Sequence, residues 1–370
     1  MAGKPGIGEN GAQAQRRAAE GITGTVVKTS ELHIAPDRQA YFAGLEPKVW
    51  LESSFLRTWV VAEPSLIIRL LRSRHASVLN VDDMIGAIER AYGVEFPNVR
   101  YAARHLPLFL EGEKHAEQRR NSSRYLAGRM ADLEINLPLL VERHLKPLRN
   151  KGRIDLVSEV TTPLVRDITS IFVDCPVTEE IIQLNLLDVF ALNKSLARFK
   201  DLDLRVGKAK EFLAALNADE ELLGPRFSAL SMGFETILVM LTEGLHLAFR
   251  SHPVDGDDPI VLPAFPIETG VPISYRRALS DFEMAGHAFK AGDLLRLQLQ
   301  VLGYSDREQD KQGIFGAGVH SCVGKQVSLR IWAGLKQGFD RLQVRGRASS
   351  YDLVPSHYMV RYNSVHVEVF

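Results

Sequence analysis

The sequence has little cysteine, no net charge and no apolar leader. Cys175 and Cys322 are its two cysteines in 370 residues, too few for a disulfide framework. The 45 Lys and Arg residues balance the 45 Asp and Glu residues, so no basic field favours nucleic acid or an anionic membrane as a partner. Residues 1–25 contain no apolar run of the kind found in signal peptides or membrane anchors. These absences predict a cytoplasmic protein that acts on a small molecule.

The chain also lacks internal repeats and low-complexity linkers, so it shows no domain boundary. Residues 1–25 are rich in small and polar residues, and we expect them to form a flexible tail. Residues 26–370 are then expected to form one domain.

Apolar residues recur at helical spacing between residues 113 and 244, which predicts a mainly α fold. Residues 222–249 are the most apolar of these segments, and we expect their helix to run through the core. Five prolines between residues 252 and 272 end the helical pattern. Alternating β-branched and aromatic residues predict a hairpin in residues 48–64 and short strands after residue 272, hence small β-sheets beside the helices.

One short stretch, GIFGAGVHSCVGKQ at residues 313–326, combines four glycines with His320 and Cys322. Glycines let a backbone approach a flat ligand closely, and Cys322 precedes an apolar helix whose N-terminus favours a negatively charged sulfur. Zinc is disfavoured because His320 is the single nearby ligand, and a cysteine nucleophile needs a base that the sequence does not pair with Cys322. A heme iron needs one thiolate, a backbone that lies against the porphyrin, and cations for its two propionates.

Within that stretch, FGAGVHSCVG at residues 315–324 resembles the heme-binding signature FGxGxHxCxG of the cytochrome P450 family at all six fixed positions. The resemblance implies that Cys322 is the axial ligand of the iron of heme b. It also implies that Phe315 packs against the sulfur and the heme, that His320 points toward a propionate, and that Gly316 and Gly324 contact the cofactor.

A second stretch, MGFETI at residues 232–237, resembles the distal-helix motif [AG]Gx[DE]T of the same family. Gly233 weakens the helix locally, and the Thr236 hydroxyl can bond back to a carbonyl one turn earlier, which bends or widens the helix. The resemblance implies that Glu235 and Thr236 deliver protons during oxygen activation.

Two further stretches supply cations. EKHAEQRR at residues 113–120 is similar to the family's HxxxR, and it places His115 and Arg119 on one helical face. YRRALSDFEMAG at residues 275–286 resembles RxAxxDxExxG, a spacing that selects Arg276 rather than Arg277. The resemblance implies that these three side chains and His320 surround the two propionates, because buried carboxylates require pairing.

The sequence departs from the family where a Glu-x-x-Arg pair normally stands, since no such spacing occurs between residues 240 and 300. PAFPI at residues 263–267 takes that position, and the segment before the cysteine loop, residues 300–313, is short. Loss of one member of a buried charge network costs about 3–5 kcal/mol, whereas replacing the whole network with apolar residues is often neutral. We therefore expect a P450-like fold with trimmed helices before the cysteine loop and no such network.

The resemblance implies a heme-thiolate monooxygenase that oxidises a small, mostly apolar metabolite of specialised metabolism with dioxygen. Residues 84–112 hold the position of the family's substrate recognition loop, so we expect them to line the pocket. Residues 300–313 form the proximal segment. Because this segment is short, it stays open whether the protein uses a ferredoxin- or flavodoxin-type redox partner or peroxide. Non-oxidative heme chemistry and a heme-binding sensor or assembly partner without turnover are the alternatives.

Overall fold

The computed structural model describes residues 38–53, 57–190, 195–216, 220–252, 258–354 and 360–370. The tail expected at residues 1–25 lies outside these residues. The helices are α1 (Arg38–Ala43), α2 (Pro64–Leu71), α3 (Val81–Tyr92), α4 (Pro97–His105), α5 (Gly112–His144), α6 (Thr162–Val173), α7 (Glu179–Ile182), α8 (Leu196–Ala214), α9 (Glu220–Ser228), α10 (Phe234–Ser251), α11 (Glu308–Lys311) and α12 (Lys325–Leu342). The strands are β1 (Val49–Ser53), β2 (Arg57–Val61), β3 (Ala76–Ser77), β4 (Gly152–Asp155), β5 (Ile273–Ala278), β6 (Phe282–Met284), β7 (His287–Phe289), β8 (Leu294–Gln298), β9 (Gly346–Val354) and β10 (Arg361–Val369).

The predicted mainly α fold with small sheets is confirmed. The helical prediction is wrong in detail between residues 178 and 199, where the pattern indicated continuous helix. There the structure has the four-residue α7 and a 3-10 turn at Leu186–Phe190, and α8 starts only at Leu196. Asn185 lies between the first two with φ 47°, a left-handed conformation that ends a helix and that Asn tolerates better than most residues.

The apolar helix expected in the core is α9 and α10, joined by a π-helical turn at Ala229–Gly233. Among the described residues, Glu221–Ser251 is the one helix with the length and hydropathy of a membrane span. Some 67% of its apolar window is buried inside the protein, as in a core helix. Its apolar composition therefore reflects packing against α5, α6 and α12 in the largest hydrophobic cluster.

The strands form three small sheets. The largest has the order β1-β2-β8-β5-β3, with β2 parallel to β8 and β5 antiparallel to it. The predicted hairpin is β1 and β2, paired in antiparallel register with Trp50 opposite Val60. The second sheet has the order β4-β10-β9, and β6 pairs with β7. Side chains alternate along β5, so Arg276 is buried while its neighbour Arg277 is exposed.

The proline-rich connection carries neither helix nor strand in its described part, residues 258–272. It is nevertheless packed onto the core, because the Trp332 indole N–H of α12 donates a hydrogen bond to the Pro263 carbonyl at 2.8 Å. Trp332 is 1% exposed and fits against Gly244 of α10, where a β-carbon would approach its ring to 2.6 Å. The connection thereby lies close to both α10 and α12.

Candidate functional site

A cavity of about 330 Å³ lies between the cysteine loop and the distal helix, which is α10 with the π-helical turn before it. Gly233 and Thr236 belong to one wall, and Cys322 belongs to the opposite one. Nine of the ten residues singled out in the sequence line this cavity. They are His115, Arg119, Thr236, Arg276, Phe315, Gly316, His320, Cys322 and Gly324. The tenth, Glu235, lies outside it.

Away from the cysteine loop, the cavity is lined mainly by apolar side chains. Residues 106–109, from the predicted recognition segment, contribute to its lining, as do Ile168, Phe172 and Met232. The prediction that residues 84–112 would line the pocket is therefore confirmed for residues 106–109 and wrong for residues 84–105. An apolar cavity with a few polar groups at one edge is the usual form of a small-molecule site.

The cysteine loop owes its shape to glycines at two positions. Gly316 and Gly318 have φ values of 73° and 71°, in the left-handed region that glycine adopts without strain. A β-carbon on Gly318 would also stand 3.1 Å from the Leu71 carbonyl oxygen of α2. The Cys322 backbone N–H donates to the Phe315 carbonyl at 2.7 Å, which closes the loop and fixes the sulfur three residues before α12.

The Cys322 sulfur opens onto the cavity but is enclosed by protein beyond it. Burial raises the pKa of this thiol, while the Gly324 backbone N–H, Arg119 and Lys325 act in the opposite direction. A bound metal ion would deprotonate the thiol outright. No group of three His, Cys, Asp or Glu side chains suited to a metal occurs in the described residues. The sulfur therefore suits a metal that brings its other ligands, as porphyrin iron does.

Cationic side chains gather at one edge of the cavity. The rings of His115 and His320 are 4.2 Å apart, and His115 Nε2 and His320 Nδ1 are buried without a hydrogen-bond partner among the described residues. Arg276 is 3% exposed, and burial lowers its pKa to about 10. Burial also lowers the pKa of His115, with His320 and Arg119 adding to the effect. The cluster thus favours an anionic partner.

These features fit the heme that the sequence resemblance implies. Cys322 lines the cavity, and the orphaned histidine nitrogens and the buried Arg276 lie at one edge of it, where they would suit the two carboxylates of a heme. Arg119 binds the loop itself, donating to the Ser321 carbonyl at 2.5 Å and to the Ser321 hydroxyl at 3.1 Å. It therefore holds α5 against the cysteine loop.

The distal helix is widened as its sequence predicted. The Thr236 hydroxyl donates to the Met232 carbonyl at 2.5 Å, directly after the π-helical turn that ends at Gly233. Glu235 points elsewhere, since consecutive helical residues project about 100° apart. Its carboxylate accepts from the Leu187 N–H at 3.2 Å and lies 3.6 Å from Arg361. Burial raises the Glu235 pKa, and Arg361 opposes that effect.

Sequence reasoning missed several groups at the site. Glu111 precedes the HxxxR stretch, and its carboxylate binds His320 Nε2 at 3.2 Å and the Val78 N–H at 2.9 Å. Ser122 lies three residues beyond Arg119, on the same face of α5, and its buried hydroxyl lines the cavity without a partner among the described residues. Their spacing from His115 and Arg119 is a signal that could have indicated both.

The chain lacks the Glu-x-x-Arg spacing between residues 240 and 300, as expected, but it has a buried charge network built from other residues. Arg38 forms ion pairs with Glu243 and Glu268, and the three side chains are 7%, 1% and 1% exposed. Arg38 precedes Glu243 by about two hundred residues in the chain, so no local spacing reveals the contact.

No protein-family model matches the sequence, and no curated protein matches it by sequence. Solved structures do match. P450BioI, crystallised in complex with hexadec-9Z-enoic acid ligated acyl carrier protein, is 15% identical, with a TM-score of 0.71 over 92% of this chain and 100% of its own. The cytochrome P450 PksS of the Bacillus subtilis 168 bacillaene polyketide synthase is 13% identical, with a TM-score of 0.68 over 93% and 100%. The CYP116B5 heme domain of Acinetobacter radioresistens is 13% identical, with a TM-score of 0.67 over 98% and 100%. This chain has the cytochrome P450 fold.

Proposed function

We propose that this chain is a cytoplasmic heme-thiolate monooxygenase that binds heme b through Cys322 and oxidises a small, mostly apolar metabolite. One observation carries the proposal: nine residues from four separate stretches of sequence line a single apolar cavity. The P450 fold supports the proposal, because this fold accounts for the meeting of the four stretches around one cavity. When bound, the heme supplies the iron at which dioxygen is activated.

Cys322 would hold the iron from the side of the cysteine loop, and its thiolate would donate electron density to that iron. Arg276, His115 and His320 would pair with the two heme propionates and so orient the cofactor in the cavity. Arg119 keeps the cysteine loop against α5 through Ser321. These residues bind and orient the cofactor.

We assign proton handling to Thr236, which lines the cavity, and to Glu235, whose carboxylate lies outside the cavity and 3.6 Å from Arg361. The Thr236 hydroxyl hydrogen is committed to the Met232 carbonyl, so its oxygen is placed to accept a hydrogen bond from a water or substrate in the cavity. The raised pKa of Glu235 lets it hold a proton at a pH where an exposed carboxyl has lost it. Apolar residues at 106–109 exclude water and orient the substrate.

An absorption spectrum of the reduced protein under carbon monoxide tests the heme-thiolate assignment. We expect the strongly red-shifted Soret band of a heme whose iron keeps a thiolate opposite carbon monoxide. A band at the position typical of protonated-thiol or histidine ligation would contradict thiolate ligation. Absence of heme from protein expressed with ample heme supply would overturn the proposal.

Turnover assays distinguish the proposed monooxygenase from the alternative functions. A panel of small apolar compounds is screened by spectral shift, and the binders are then incubated with a ferredoxin and its reductase, with a flavodoxin and its reductase, or with peroxide. Product that requires a reductase and dioxygen supports the monooxygenase. Product with peroxide alone identifies a peroxide-driven enzyme, and heme loading without a spectral shift or product identifies a sensor or assembly partner.

A further inference from the structure

A buried group of charged and polar side chains lies beside the cavity and includes none of the ten predicted site residues. The Arg38 guanidinium pairs with Glu243 and, at 2.9 Å, with Glu268. Glu268 also accepts hydrogen bonds from the Gln300 amide at 2.9 Å and from the Tyr304 hydroxyl. One guanidinium thus faces two carboxylates that are almost completely removed from water.

The group joins four parts of the chain. Arg38 begins α1, Glu243 lies in α10, and Glu268 directly follows PAFPI. Gln300 and Tyr304 belong to the 3-10 turn at Leu299–Tyr304, in the shortened segment before the cysteine loop. These contacts therefore connect α1, the distal helix, the proline-rich connection and the proximal segment.

The residues after Glu268 contact both walls of the cavity. The Thr269 hydroxyl donates to the Ile314 carbonyl of the cysteine loop at 3.1 Å. Gly270 packs so tightly on Thr236 that a β-carbon there would overlap the Thr236 carbonyl oxygen. The two residues that directly follow Glu268 thus contact both the distal helix and the cysteine loop.

We propose that Arg38, Glu243 and Glu268 are positioning residues that set the spacing between the distal helix and the cysteine loop, in place of the Glu-x-x-Arg network that the chain lacks. These three side chains lie far apart in the sequence, and the tertiary structure brings them together. Burial raises the pKa of Glu268, and Arg38 opposes that effect, so the guanidinium favours the ionised form of this carboxyl. Without Arg38, two buried carboxylates have no counter-ion, which is more costly than losing the whole group. This inference rests on the proposed function only in taking the positioned cavity to be the heme site.

The test compares Arg38→Met and Arg38→Lys with the wild-type protein and with Lys336→Met, which breaks a solvent-facing ion pair to Asp340. Hydrogen exchange is followed in peptides covering residues 268–271 and 313–324, with Leu196–Ala214 as a remote reference. We expect Arg38→Met to speed exchange in both test segments by about tenfold or more, while the reference changes little. Arg38→Lys should be intermediate, because an ammonium keeps the charge but not the two-pronged geometry.

A second measurement follows the carbon monoxide spectrum of the heme-loaded variants. Arg38→Lys is expected to convert part of the red-shifted Soret band to the form without thiolate, and Lys336→Met is expected to keep the full band. If Arg38→Met does not accumulate as folded protein, Arg38→Lys alone decides.

Wild-type exchange in both test segments of the Arg38 variants would overturn the proposal. So would an equal rise in the reference helix, which would show a general loss of stability instead of positioning. If the wild-type protein binds no heme, the proposed function fails, and the exchange comparison still decides the role of Arg38.

Discussion

The backbone of Gly270 lies directly against the backbone of Thr236, so the connection before β5 and the distal helix share one contact beside the cavity. A β-carbon at Gly270 would meet helix backbone, which cannot rotate away as a side chain can. We expect Gly270→Ala to lower the free energy of unfolding by about 1–3 kcal/mol, measured by urea denaturation. Gly128→Ala is the control, because Gly128 lies inside α5 with no atom near an added β-carbon. That variant is expected to be more stable by about 0.5–1 kcal/mol. A Gly270→Ala protein as stable as wild type would refute the close contact.

Arg276 and Arg277 offer a matched pair for the propionate assignment. Arg276 is buried and lines the cavity, whereas Arg277 is exposed on the other face of β5. We expect Arg276→Gln to raise the heme dissociation constant about tenfold or more, because it removes a charge-assisted hydrogen bond. Arg277→Gln is expected to leave it unchanged. Transfer of heme to an excess of a competing apoprotein measures both. Equal effects of the two substitutions would contradict the assignment.

Cys322 and Cys175 offer a matched pair that tests the assignment of the thiolate ligand. Cys322 opens onto the cavity, while Cys175 lies half-buried after α6. Cys322→Ser is expected to abolish the red-shifted carbon monoxide band, since a serine hydroxyl does not replace the thiolate as a ligand. Cys175→Ser should keep the full band. Persistence of the band in Cys322→Ser would show that another residue ligates the iron.

Glu235 lies outside the cavity, so its replacement tests proton delivery without changing a residue that binds the cofactor. We expect Glu235→Gln to lower kcat by about 100-fold with an unchanged carbon monoxide spectrum, because the variant loses a proton donor and keeps the cofactor site. Glu211→Gln, on the exposed side of α8, is the control. A Glu235→Gln enzyme with wild-type kcat would exclude the carboxyl from the proton route.

His246 makes stability depend on pH. It is 3% exposed in α10, its Nδ1 lies 3.0 Å from the Tyr362 hydroxyl, and burial lowers its pKa to about 4, with Arg250 and Arg38 adding to the effect. The unfolded chain therefore binds a proton on His246 below about pH 6.5, while the folded chain does so only near pH 4. Its contribution to stability is present above pH 6.5 and is lost as the pH falls toward 4, by about 3 kcal/mol in all.

Urea denaturation between pH 7 and pH 4.5 measures this loss. His246→Gln cannot take up the proton, so its free energy of unfolding is expected to fall less steeply over that range. Identical slopes for the two proteins would show that His246 does not titrate as its surroundings indicate.

Local sequence patterns predicted most of the fold. The distal helix, the hairpin of β1 and β2 and the break at the proline-rich connection follow from periodicity and proline chemistry, which act over neighbouring residues. The helical pattern failed near Asn185, where a left-handed residue interrupts it. Periodicity counts apolar residues and does not register that local backbone choice.

The sequence by itself indicated nine of the residues that line the cavity, because four of its stretches resemble motifs of the P450 family. Each motif is a short-range pattern that lies within a few neighbouring residues. Only the tertiary structure decided where Glu235 points and that Arg38 pairs with Glu243 and Glu268. An ion pair between residues about two hundred positions apart depends on how α1 docks on α10. Many distant apolar contacts together set that docking, and no local pattern carries it.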